Sequence, residues 1–273
     1  MSAWIGPLGS LIEFKCPSAV ESTSEDPHVY FRPLGGDVTA TRLGDGIRPR
    51  VWEVSVSTAR PQQVAALQAL GDGAFGPGPF VFIPPGAPSL NMLGKRQALS
   101  LGETSSAYVV TQGGTPVSTP EGLAGAYYGT TSDAPASYEF GTAPVIPGVP
   151  VTGKAFTQSL LGGTSTVQLV FFTAGGGRLT ETAIISGSST SGEYLTVTGT
   201  PPAGAAYVHL RARGAVVTHP QVTWTEEPRT WTPSAASINV VVSPLSDSVR
   251  RATGRPGEET ITDHRFSVTE LRA

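Results

Sequence analysis

The residues able to do chemistry are few and scattered. The four histidines, His28, His209, His219 and His264, form no His-x-x-x-His pair and stand beside no carboxylate motif, so neither a metal centre nor a nucleophile–base pair is expected. Adjacent carboxylates occur as Glu226-Glu227 and Glu258-Glu259. Consecutive strand residues face opposite ways, so neither pair spans one bond as acid and base. Gly113-Gly114 and Gly175-Gly176-Gly177 lack the Lys-Ser/Thr and following helix of a phosphate loop and read as hairpin turns. Cys16, the only cysteine, excludes an intramolecular disulfide and reads as a buried small hydrophobe. The expectation is therefore no catalytic residue, no cofactor and no metal. Aromatic rings remain, because the apolar face of a sugar stacks on a π surface. Tyr127, Tyr128, Tyr108 and Trp224 are the candidate carbohydrate contacts. Tyr138 and Trp231 are further rings of this kind, with Trp231 and one of Phe171 and Phe172 assigned to the core.

The elements that must position these rings are strands. Of 273 residues only 14% are charged, while Gly and Pro number 33 and 24. That mixture suits short strands joined by turns and disfavours a helical bundle. The longest apolar runs, such as Val167–Thr173 and Ile238–Val242, are strand-sized, so no membrane helix is expected. Met1–Glu13 lacks the cationic start of a signal peptide. A net charge of −3 leaves no basic footprint for nucleic acid.

Charge is unevenly spread. Residues 98–233 hold 5 Lys or Arg and 8 Asp or Glu, whereas the flanks, one residue longer in total, hold 13 of each sign. The two seams predict a domain inserted into another: 1–97 with 234–273 as a discontinuous frame, and 98–233 as the insert. In the frame, Trp4–Gly6, Ser10–Phe14, Val29–Phe31, Arg50–Ser57, Pro79–Ile83, Ser237–Val242 and Thr260–Leu271 read as strands. One helix is expected, capped by Thr58, opened by Ala59-Arg60-Pro61, stopped by Gly71, with Val64, Leu67 and Leu70 on its buried stripe. The insert offers seven strands: Ser106–Thr111, Ala136–Phe140, Ala155–Leu161, Val167–Phe172, Gly192–Thr198, Ala206–Arg211 and Gln221–Thr225. That spacing predicts a two-sheet sandwich.

Particular residues carry a resemblance. Val149–Ser159 resembles the pro-x-thr-gly-x-x-tyr-x-x-ser strand of jelly-roll carbohydrate-binding modules, and Val170–Gly176 their trp-phe-asp-ala-x-gly hairpin. Gly192–Ala205 is similar, unbroken, to the stretch gly-x-trp-x-x-leu-thr-val-thr-gly-thr-ala-pro-x-gly-ala, with Tyr194 where the module has Trp. Val222–Pro233, with Trp224 and Trp231, resembles the closing strand. In the frame, Val51–Val54, the helix Arg60–Leu70, Pro79–Ile83 and Asn91 resemble the tail-tube-like β barrel of distal tail and minor tail proteins of long-tailed phages. The nested order resembles minor tail proteins of phages of actinobacteria, and Arg outnumbers Lys (only Lys15, Lys95 and Lys154) as suits a high-GC host.

The fold class expected is all-β with one helix: a tail-tube-like barrel or sandwich split by a jelly roll. The resemblance implies a non-enzymatic virion protein at the tail tip, made in the host cytoplasm without a signal peptide. Its implied partners are copies of itself in a hexameric ring, the tail tube, tape measure and tail-tip hub proteins, and host cell-wall glycan, with nucleic acid only as DNA passing through the tube. Arg250, Arg251 and Arg255 are then candidate subunit or lumen contacts, and equally read as a solvated loop. A bacterial, non-catalytic carbohydrate-binding protein is the alternative, and a hydrolase is disfavoured by the lack of a nucleophile–base pair.

Overall fold

A computed structural model describes residues 2–15, 17, 19–24, 28–31, 39–42, 50–57, 61–76, 78, 80–98, 117–118, 124–125, 128–129, 136–159, 163–232, 236–243, 246–251 and 261–271. The strands begin with β1 (Ser2–Gly6), β2 (Ile12–Lys15), β3 (Ala19–Ser24), β4 (His28–Phe31), β5 (Thr39–Arg42) and β6 (Arg50–Ser57). Helix α1 (Pro61–Gly71), β7 (Phe80–Ile83) and the one-turn α2 (Lys95–Ala98) follow. Three two-residue strands come next, β8 (Val117–Ser118), β9 (Ala124–Gly125) and β10 (Tyr128–Gly129). Then come β11 (Ala136–Pro144), β12 (Val151–Gln158), β13 (Ser165–Phe172), β14 (Arg178–Glu181) and β15 (Ile185–Gly187). After them lie β16 (Glu193–Gly199), β17 (Tyr207–Gly214) and β18 (Val216–Thr223). The last strands are β19 (Ser237–Val242), β20 (Ser246–Arg251) and β21 (Ile261–Glu270). The expected all-β class holds.

By packing, the chain divides into two compact units: Met1–Glu13 with Phe80–Ile238, and Phe14–Pro79 with Asn239–Ala273. The charge seams at 97/98 and 233/234 both lie inside the first unit. Charge reports what a surface meets; the unit limits report what a core buries. Trp4, Leu8 and Leu11 pack on the first unit's core, and Val81, Ile83, Met92 and Leu93 belong to it.

The first unit is built on two antiparallel sheets, ordered β10-β18-β12-β16 and β11-β17-β13-β14, with β15 also on β13. Six of the seven strands expected for this region are among these, with ends shifted by a few residues. The seventh, Ser106–Thr111, lies outside the described residues. Strand alternation builds the core. Val151 and Ala155 come from β12, Val167, Leu169 and Phe171 from β13, Leu195 and Val197 from β16, and Val208, Leu210 and Ala212 from β17, all buried. Tyr138 and Phe140 of β11 join them, so Tyr138 is a core ring and offers no face to a sugar.

The other face of β12-β16-β18 is also largely closed. Lys154 Nζ sits 4.0 Å from the Tyr194 ring centroid and donates to Arg229 O at 2.9 Å. Tyr194 meets Phe156 edge-on, and its hydroxyl lies 3.3 Å from His219 Nδ1. Trp231 packs 4.3 Å from the His219 ring and is buried, as expected of a core ring.

One amide organises this region. Asn91, fully buried, donates from Nδ2 to Pro220 O and Thr232 O, while its Oδ1 accepts from the Leu93 and Val222 amides, all within 3.0–3.2 Å. Met92 N also donates to Val222 O, and Trp224 N to Pro88 O, so the loop before α2 runs along β18 through backbone bonds.

In the second unit, β21 is central, pairing β6 on one side and β19 and β20 on the other, and β6 pairs β3. A tail-tube-like barrel or sandwich was expected here; among the described residues the sheet is open, with β3 at the end of the row within the unit. Trp52, Val54, Val56, His264, Phe266 and Val268 are buried. Arg50 clasps Glu270 with its backbone amide, Nε and Nη2 at 3.0–3.2 Å, and lies 5.0 Å from the Trp52 ring. Helix α1 starts on Pro61, suited to a first helical position. Leu67 and Leu70 are buried and Val64 half-buried; Thr58 and Ala59-Arg60 lie outside the described residues. The helix ends at Gly71, as expected, and its cap lies two residues further on. Gly73, at φ 76°, takes the left-handed position, its amide bonding Leu70 O and the Ala74 amide bonding Ala69 O.

Asn91→Ala strands the buried Leu93 and Val222 amides and takes a donor from Thr232 O and from Pro220 O, the latter keeping Trp231 Nε1, and is expected to cost about 2–4 kcal/mol. Urea unfolding checks this; a loss below about 1 kcal/mol would show that water replaces the amide.

Candidate functional site

Among the described residues, the outward face of β11-β17-β13 gathers rings and charges side by side. Residues 207, 209, 211 and 213 of β17 alternate with the core residues Val208, Leu210 and Ala212, which sends Tyr207, His209, Arg211 and Arg213 to that face. Pairing sets their neighbours: Tyr207 opposite Phe172, His209 opposite Val170, Arg211 opposite Gln168 and Glu139. Tyr207 and Phe172 stack with centroids 5.2 Å apart and planes 9° apart, and both are half-buried. The His209 ring leans on the pair, 4.6 Å from Phe172 and 5.3 Å from Tyr207.

The seat of His209 comes from a bulge in β11. The register with β17 shifts between Phe140 and Ala143, and Thr142 there adopts φ 64°. Gly141 faces the imidazole, and a Cβ would come 2.7 Å from His209 Nε2. On the other side His209 Nδ1 lies 3.5 Å from Glu139 Oε2, while Arg211 donates Nε to Glu139 Oε1 at 2.7 Å and pairs with it through Nη2.

These contacts set the charges. Burial pushes the His209 imidazole below the ordinary histidine value; Glu139 works against that and Arg211 with it. Burial alone would raise the Glu139 carboxyl, but the Arg211 hydrogen bond and charge, aided by His209, hold it below the usual carboxylate range. The patch therefore holds a neutral imidazole beside an ionised Glu–Arg pair at neutral pH. Stacked rings next to oriented donors and acceptors match what a pyranose offers, an apolar face rimmed by hydroxyls.

Of the candidate contacts named from sequence, Trp224 has a described side chain. Trp224 is half-buried, its Nε1 donates to Pro144 O at 2.9 Å, and Trp4 meets it edge-on with centroids 5.2 Å apart. Tyr108, Tyr127 and Arg255 lie outside the described residues. Tyr128 stands opposite Val217, and Arg251 opposite Ile261, but the side chains of Tyr128, Arg250 and Arg251 are likewise outside them. Phe171 is the core ring of its pair and Phe172 faces outward. Sequence reasoning named His209 and set it aside as an isolated histidine, and did not single out Tyr207, Arg211 or Glu139; the alternation Tyr-Val-His-Leu-Arg-Ala-Arg was the available signal. Among the described residues no group of three or more His, Cys, Asp or Glu is placed to hold a metal ion, and no helix is long and apolar enough to cross a membrane.

The geometry makes stability pH-dependent. As pH falls through the ordinary histidine range, about 6.5, the unfolded chain takes up a proton that folded His209 resists, so stability declines. Glu139 adds a second decline at lower pH, where the unfolded carboxyl is protonated before the folded one. The urea midpoint is expected to drop from about pH 7.5 to 5.5, with a shallower drop in His209→Gln; equal slopes in both proteins would contradict the assignment.

No family model matches the chain, and no curated protein matches it. Among solved structures it is similar to the enzymatically active domain of tailspike protein 4 of bacteriophage CBA120, at 13% identity and TM-score 0.37, over 50% of this chain and 22% of that one. It is also similar to a family 16 carbohydrate-binding module, at 12% identity and TM-score 0.30, over 43% of this chain and 83% of that one. The chain thus spans under a quarter of the tailspike domain's length.

Proposed function

We propose that the chain is a non-catalytic structural protein of a long-tailed phage tail tip, in which the second unit serves assembly and the sandwich unit touches host cell-wall glycan. The observation that carries the glycan part is the Phe172–Tyr207 stack beside the fixed Glu139–Arg211 pair. The rings supply an apolar platform, and Glu139, Arg211 and His209 supply acceptors and donors already held in place, which lowers the ordering cost of binding. The tail-tip part rests on the nested organisation of the sequence and on the resemblance of its flanks to the tail-tube-like domain. Its partners on this reading are copies of itself in a ring, the tail tube, tape measure and hub proteins, and its place is the virion tail. The same outward face also serves the alternative, a bacterial carbohydrate-binding protein; immunogold labelling of purified virions separates the two.

Co-sedimentation of the full chain with purified cell-wall polysaccharide tests the glycan contact. Tyr207→Ala and Phe172→Ala are each expected to weaken binding about tenfold, while exposed Glu227→Ala leaves it unchanged. Binding that survives both ring substitutions, in proteins of unaltered fold by circular dichroism, would overturn the assignment.

A further inference from the structure

The strand β14 is an open edge of the sandwich. All four residues of β14 are exposed, and β13 is its one strand partner among the described residues, so its outer edge carries unpaired backbone donors and acceptors. Edge strands are usually blunted by a charge of one sign, a proline or a cover. Here the charges are of opposite sign and three residues apart, Arg178 and Glu181, joined to each other as an exposed ion pair. The neighbouring surface is apolar: Leu179, Ile184 and Ile185 are three of the seven large hydrophobic side chains exposed among the described residues.

Leu179 is an extra residue in β14, since Arg178 and Thr180 pair the consecutive residues Phe172 and Phe171, and this bulge puts Arg178 and Glu181 on one face. We propose that β14 is a homotypic contact, in which two copies of the chain add antiparallel strands to each other about a two-fold axis at Thr180. In that register Arg178 of each copy stands opposite Glu181 of the other, so the intramolecular ion pair is exchanged for two intermolecular ones. Other registers of the same two strands lose this match, and charge thereby selects one pairing. Beyond β14, Ile184 and Ile185 of one copy extend toward the other copy's hairpin turn, where Gly175, Gly176 and Gly177 present no bulky side chain. The two-fold operation makes the contact isologous and closed. A four-residue ladder is a weak contact alone, and it strengthens where several copies are already held near one another.

Sedimentation velocity of the full chain over a concentration series tests this with charge reversals at exposed positions. Arg178→Glu and Glu181→Arg are each expected to weaken self-association about tenfold. Mixed together they restore it, because each then meets the opposite charge on its partner, and the double reversal in one chain restores it as well. Association that is equal in all these proteins, or absent from the unaltered chain, overturns the proposal, as does a mixture that stays as weak as its components. Glycan binding is read separately, so losing one property leaves the other measurable.

Discussion

The Asn91 side chain is the constraint on which the sandwich unit depends. A primary amide has two donors and an acceptor with two lone pairs, and all four are used on backbone groups of three segments: the loop before α2, β18, and the stretch ending at Thr232. Asn91, Leu93 and Val222 are fully buried, so no water takes the place of the Asn91 bonds to those two amides. The stretch near Trp231 is held the same way, since Gln221 Nε2 donates to Leu90 O and Thr230 O and Trp231 Nε1 to Pro220 O. Residues that no helix or sheet would bring together are thus fixed by side-chain amides in place of a ladder. The buried face over β12 and β18 exists because this stretch is pinned there.

With one sheet face closed in this way, the outward face of the other sheet becomes the surface where rings and charges remain accessible. Its layout follows from ordinary strand rules plus one irregularity. Alternation sends Tyr207, His209 and Arg211 outward, pairing lines them up with Phe172 and Glu139, and the bulge at Gly141-Thr142 makes room for the imidazole. A regular strand with a side chain at 141 would push His209 away from Phe172 and from Glu139 alike.

Much of the architecture was legible in the sequence. The Gly- and Pro-rich turns delimit β11 to β18, and the β-branched runs mark the strands between them, because both signals are local. β14 was missed because Arg178–Glu181 carries no alternation: all four residues are exposed, so burial left no imprint on it. The helix end at Gly71 was legible, whereas its left-handed cap at Gly73 was not, because either glycine permits that position and the hydrogen bonds decide between them. The candidate site was the least legible part. Glu139 and Arg211 are 72 positions apart, and their meeting depends on strand register, which no local pattern encodes. Tyr138 illustrates the converse: a ring beside polar residues resembles a contact until its strand's parity is known.

The clasp between Arg50 and Glu270 joins positions 220 apart in the chain. Synthesis runs at about 5–20 residues per second, so β6 leaves the ribosome about 10–40 s before its partner β21. In that interval the sandwich strands β11 to β18 emerge in sequence and find each other, whereas Trp52, Val54 and Val56 wait with only the β3 side of their strand occupied. The second unit is thereby a late-closing one, its β6 edge open for as long as the strands between β6 and β21 take to be made.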